Sequence, residues 1–207
     1  MDFAELKNLM ESKNPELLEI RKHSAVLIPF VESNGKLCLL FEQRSGNISQ
    51  PGEVCFPGGR MEQGETAVET ALRETWEEMA IPAEDIESCG EYGSLVLYAN
   101  RAIHTVWAFL KPEALEHIVP SEGEVGDWFT VPVDWRLEND PYIYEYRVVP
   151  EIGEDFPYDM VDAPDKYNWS TGKCTVPIWH YEKYCLWGIT ARIVVNLLEY
   201  IKKHTNM

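Results

Sequence analysis

Residues 66–80 constrain this chain more than any other stretch, because they read as a helix that pays a local electrostatic penalty. Thr66 with Glu69 three positions on is a capping-box signature, and Pro82 sets the stop. On a helical wheel Val68, Leu72, Thr75 and Met79 gather on one face. Glu74, Glu77 and Glu78 fall on the other side, with Glu74 and Glu78 one turn apart. Like charges at that spacing weaken an isolated helix. Glu77 and Glu78 also stand near the helix carboxyl end, where the macrodipole disfavours anions. A solvated acidic face would look the same. Yet hard oxygen donors at i and i+4 are also what Mg²⁺ or Mn²⁺ requires, and a dication would reverse the penalty.

The wider composition narrows the choice. The chain has 207 residues and a net charge of −17. No basic stripe is present to track a phosphate backbone, so no nucleic-acid partner is expected. An acidic protein can still hold an anionic small molecule if cations mediate the contact. The longest apolar run, residues 25–31, is far short of a membrane span, and no membrane association is expected. The amino terminus lacks a secretory layout and the carboxyl terminus lacks a targeting tripeptide, so a cytoplasmic location is expected. Five cysteines, with no C-x-x-C pair, fit free thiols that fill space.

Along the chain, residues 3–20 suggest short helical pieces broken at Pro15, the core of an amino-terminal helical arm over 1–22. Residues 25–31 read as a buried strand, turned by Asn34-Gly35 into a second strand over 36–43. A polar loop follows over 44–52, then a short extended piece over 54–56. Further strands are expected over 93–98, 103–110, 127–133 and 142–149, with strand-like pieces in 176–187. Residues 150–173 are acidic and turn-rich, a surface excursion, and 188–203 form a second amphipathic helix. Strands punctuated by helices, without repeats or linkers, imply one mixed α/β domain over 1–207. A homodimer is compatible with this reading.

The spacing Gly59, Glu65, Arg73-Glu74, Glu77-Glu78 closely resembles the Nudix box, here over residues 59–81. Ala80 stands where that family usually has Gly, implying a different exit from the helix, and Thr75 replaces a larger aliphatic residue. The resemblance implies an α/β/α sandwich with a mixed central sheet, the box helix on one face and the last helix on the other. It also implies a pyrophosphohydrolase acting on a small nucleotide-like substrate. In that scheme Glu74, Glu77 and Glu78, with the Gly59 carbonyl, ligate Mg²⁺ or Mn²⁺. Gly58 and Gly59 admit close backbone approach, and Arg73 pairs with Glu65 or a ligand carboxylate. The base that takes the water proton is Glu74, or Glu122 or Glu124 on a distant loop.

Three further stretches are similar to the coenzyme A diphosphatase branch. They are residues 39–45 leading through 52–59, Glu124-Val125 with residues 128–132, and Trp187-Gly188-Ile189-Thr190-Ala191. The 44–52 loop departs from that branch, showing Ile48-Ser49-Gln50-Pro51 in place of a Leu-Arg-x-His portion. Arg44, Arg60 and Arg101 are candidates for phosphate contact. The resemblance implies hydrolysis of coenzyme A or an acyl derivative to (acyl-)phosphopantetheine and adenosine 3′,5′-bisphosphate. The alternatives are another nucleoside diphosphate derivative (ADP-ribose, a sugar nucleotide or a dinucleotide) and a catalytically silent nucleotide sensor.

Overall fold

A computed structural model describes residues 2–13, 16–47, 49–98, 100–161 and 167–205. The amino-terminal helix α1 (Phe3–Ser12) is capped reciprocally by Asp2 and Glu5 and buries no residue. It is one helix rather than several pieces, and the break at Pro15 lies outside the described residues.

Strand β1 (Lys22–Ser33) organises the molecule. Its carboxyl half pairs antiparallel with β2 (Lys36–Arg44) through the Asn34-Gly35 turn. Its amino half pairs antiparallel with β4 (Gly58–Arg60), placed after the two-residue β3 (Val54–Cys55). The other edge of β1 runs parallel to β6 (Arg101–Leu110), itself paired antiparallel with β5 (Ile86–Leu97). Strand β7 (Val125–Pro132) joins β2 and completes a seven-stranded mixed sheet.

Alternation along the strands divides the core in two. Ala25, Leu27, Cys38 and Leu40 pack with Ala67, Ala71 and Met79 of helix α2 (Ala67–Met79). Ile28, Phe30, Leu39 and Phe41 face the other way, onto Ala191, Ile193, Val194 and Leu197 of helix α4 (Gly188–His204). These are the two outer layers of an α/β/α sandwich. That second face also carries an element absent from the sequence expectation, a separate antiparallel sheet of β8 (Tyr142–Val148), β9 (Gly172–Tyr181) and β10 (Tyr184–Trp187). A short helix α3 (Val133–Glu138) follows β7 directly. The excursion ends at Thr171, before β9 begins, and residues 162–166 lie outside the described residues. No helix among the described residues is long and apolar enough to cross a membrane.

Two expectations for α2 need correction. Its buried face is Ala67, Thr70, Ala71, Thr75, Glu78 and Met79, whereas Val68 and Leu72 are only half-buried. Small side chains at 67 and 71 let the helix approach the sheet, which brings Glu78 inward rather than into solvent. Ala80 does not change the helix exit either, since it takes the left-handed conformation itself (φ 56°, ψ 26°) and bonds its N–H to the Trp76 carbonyl at 2.8 Å.

Candidate functional site

The junction of β4 with α2 gathers the acidic residues. Gly58 has φ 150°, and a Cβ there would meet the Ala25 carbonyl and Val26 backbone. Only glycine lets β4 lie this close to β1. From that position the Gly58 N–H donates to Glu78 Oε2 at 2.8 Å. At Gly59 an added Cβ would run into the Glu74 carboxylate, so the carboxylate occupies the space a side chain would need.

Arg73 holds the helix's outer carboxylates in register. Its Nε and Nη2 donate to the two oxygens of Glu65 at 2.7 and 3.1 Å, a fork-on-fork pair. Nη1 donates to Glu74 at 2.9 Å and Glu77 at 3.1 Å, and Nη2 also reaches the Arg60 carbonyl at 3.2 Å. The hydrogen bond from Arg73 is the main reason the Glu65 carboxyl is held down to about 2, with further donors in the Glu62 N–H and Thr70 hydroxyl.

Sequence reasoning gave no role to Glu42. It is 1% exposed on β2, takes a contact from the Cys55 thiol at 3.2 Å through Oε1, and leaves Oε2 without a partner among the described residues. Burial pushes its carboxyl up to about 7, against the pull of Cys55 and Arg44, and the charges of Glu124 and Glu74 push the same way. Glu78 is 6% exposed and pushed up to about 9, by burial first and then by Glu42, Glu74 and Glu124. Glu74 is raised as well, again chiefly by burial. Glu124 therefore stands within electrostatic reach of all three. Its loop is pinned by the Ser121 N–H on the Glu78 carbonyl at 2.8 Å and by the Ser45 N–H on the Glu124 carbonyl at 2.8 Å.

These residues suit a divalent cation. No three His, Cys, Asp or Glu side chains among the described residues stand at ready-made ligand spacing. Even so, the four carboxylates penalise one another's charge, one keeps an unpaired buried oxygen, and the cations nearby, Arg73 on Glu74 and Arg44 near Glu42, leave Glu42, Glu74 and Glu78 raised, so hard donors with charge left to offset are gathered here. Glu77 stands apart, half-exposed and turned to Arg73.

Beside this acidic junction lies a cleft of about 460 Å³ bordered by Gly58 and Gly59. Arg44, Arg60 and Arg101 line it, together with Trp187, Ile189 and Thr190 at the start of α4. Arg44 Nε donates to the Ser49 carbonyl at 3.0 Å, and Ile48 lies outside the described residues. Trp76 and Tyr98 are exposed, and Trp107 packs against the α4-side core.

The sandwich and its carboxylate-bearing helix define a class of α/β/α folds, and comparison names a family within it. A family profile described as NUDIX domain matches residues 21–149. Nudix hydrolase 3 of Caenorhabditis elegans is 41% identical over 62% of this chain and 58% of its own length. The peroxisomal coenzyme A diphosphatase NUDT7 of Mus musculus is 34% identical over 64% of this chain and 55% of its own. The chain thus spans little more than half the length of these two relatives. A MutT/nudix family protein from Enterococcus faecalis matches the fold with a TM-score of 0.56 at 13% identity, covering 98% of this chain and 70% of that one. The chain belongs to the NUDIX domain family.

Proposed function

We propose that this chain, acting as one domain, hydrolyses the diphosphate linkage of coenzyme A or an acyl-coenzyme A with Mg²⁺ or Mn²⁺. The products are (acyl-)phosphopantetheine and adenosine 3′,5′-bisphosphate. The observation that carries the reading is the adjacency of two opposite linings. Three arginines and one acid, Glu53, line a cleft in a protein of net charge −17, and two of its lining residues, Gly58 and Gly59, touch Glu78 and Glu74, whose charges act on Glu42 and Glu124. Likeness to a coenzyme A diphosphatase adds to it.

Glu74 and Glu78, with Glu77 and the Gly59 carbonyl, would hold the cation. Glu42 and Glu124 contribute charge to the same junction. A bound dication supplies Lewis acidity and offsets the diphosphate charge. Arg44, Arg60 and Arg101 orient the phosphates, Gly58 admits the substrate to the backbone, and Arg73 with Glu65 fixes the carboxylates. Glu124 or Glu74 takes the proton from the attacking water. A second reading, another nucleoside diphosphate derivative, is favoured by Ser49-Gln50-Pro51, which brings no cation to the cleft wall.

The test is a panel of coenzyme A, acetyl-coenzyme A, ADP-ribose, a sugar nucleotide and a dinucleotide, assayed with each metal and with products identified by mass. Adenosine 3′,5′-bisphosphate from the first two is the expected result. Turnover of ADP-ribose with none of coenzyme A would overturn it in favour of the second reading. No turnover of any substrate would leave a silent sensor.

A further inference from the structure

On the sheet face opposite helix α2, helix α3 carries an arginine where an arginine is costly. Arg136 is 2% exposed, and its Nε, Nη1 and Nη2 find no acceptor among the described residues. Three rings surround it, with the guanidinium carbon 4.9 Å from the Trp179 centroid, 5.0 Å from Trp135 and 5.7 Å from Phe41. Those rings attract the positive charge, but a π face offers no lone pair to the five N–H groups of the fork. Burial pushes the guanidinium pKa down to about 10, the direction of a cation lacking a counter-charge.

Arg136 lines a cavity of about 300 Å³ that shares no lining residue with the arginine-lined cleft. Ile143, Trp179, Val195 and Leu198 form its apolar wall, and Lys202, Asp140 and Glu199 supply the remaining charges. Neither acid bonds to Arg136. The deep cation therefore has no hydrogen-bond partner among the described residues, although two carboxylates share its cavity.

We propose that this cavity is a second ligand site, and that it takes a small monocarboxylate with an apolar body whose oxygens pair with the Arg136 fork as the side chains that now close its nitrogens from solvent part. A planar carboxylate matches the guanidinium edge in two parallel bonds. Asp140 and Glu199 repel a multiply charged anion such as a phosphate ester. A neutral molecule would leave the N–H groups unpaired, and a bare anion would leave the apolar wall uncovered.

Hexanoate, hexanol and inorganic phosphate, each at millimolar concentration, separate these possibilities on the full chain. Thermal melts and calorimetric titration are the readouts. Hexanoate should raise Tm saturably, with hexanol and phosphate leaving it in place. Arg136→Met should weaken hexanoate binding by about tenfold or more. Because that variant alters a core position, Ile143→Trp provides an independent check. It fills the cavity from an exposed strand, keeps the guanidinium, and should abolish the hexanoate shift. Four results would each overturn the proposal: no shift with hexanoate, an equal shift with hexanol, an equal shift with phosphate, or a hexanoate shift that survives in Ile143→Trp.

Discussion

Replacing Glu78 with glutamine should make the metal-free protein more stable at neutral pH while removing its activity. Folding raises the Glu78 carboxyl from an ordinary value near 4.5 to about 9. Between those values the folded chain holds a proton that the unfolded chain has released. The stabilisation from protonated Glu78 is therefore complete below 4.5, and it is lost progressively as pH climbs toward 9. The slope is about 1.4 kcal/mol per pH unit for one proton, or about 2–3 kcal/mol between pH 5 and pH 7. For a chain of this size that corresponds to a fall of about 5–10 °C in Tm. Glutamine has no proton to release, and its amide oxygen can still accept the Gly58 N–H. The assay is a thermal melt in chelator-containing buffer at pH 5, 6, 7 and 8 for both proteins. Glu42, also raised by burial, tilts both curves, so the quantity of interest is their difference. The Glu78→Gln curve should be flatter and lie above the native curve by pH 7. With Mg²⁺ or Mn²⁺ its turnover should fall by orders of magnitude. Parallel curves, or a variant that melts lower at pH 7, would refute the claim that Glu78 is buried against its own charge.

Arg73→Lys should lower activity by about 10–100-fold, because one ammonium cannot reproduce a fork that meets Glu65, Glu74, Glu77 and the Arg60 carbonyl at once. Tm should move little, since Arg73 is partly exposed and surface pairs contribute about 0–1 kcal/mol; a steady-state assay beside a melt separates the two effects. Ala80→Gly should raise stability by about 1 kcal/mol, because alanine now bears the left-handed helix cap, and denaturant titration that found a loss would contradict that geometry.

Features written in local chemistry were legible in the sequence. The Thr66–Glu69 box starts α2, and the Asn34-Gly35 turn joins β1 to β2 with both glycine and asparagine at positive φ. What depended on long-range pairing was not legible. Strand β4 exists only because β2 leaves the amino half of β1 unpaired, and a run of Gly58-Gly59-Arg60 carries no strand signal of its own. The inward turn of Glu78 follows from small residues at 67 and 71, which a wheel weighted by hydrophobicity ranks below Val68 and Leu72. Glu42 is different, because its position was available. Cys38 and Leu40 face α2, and period-two alternation puts residue 42 on that same side, two steps along a strand paired on both edges. An acid in phase with an apolar run is therefore a buried acid. A buried acid opposite a glutamate-bearing helix is a reason to look for the charge that compensates both.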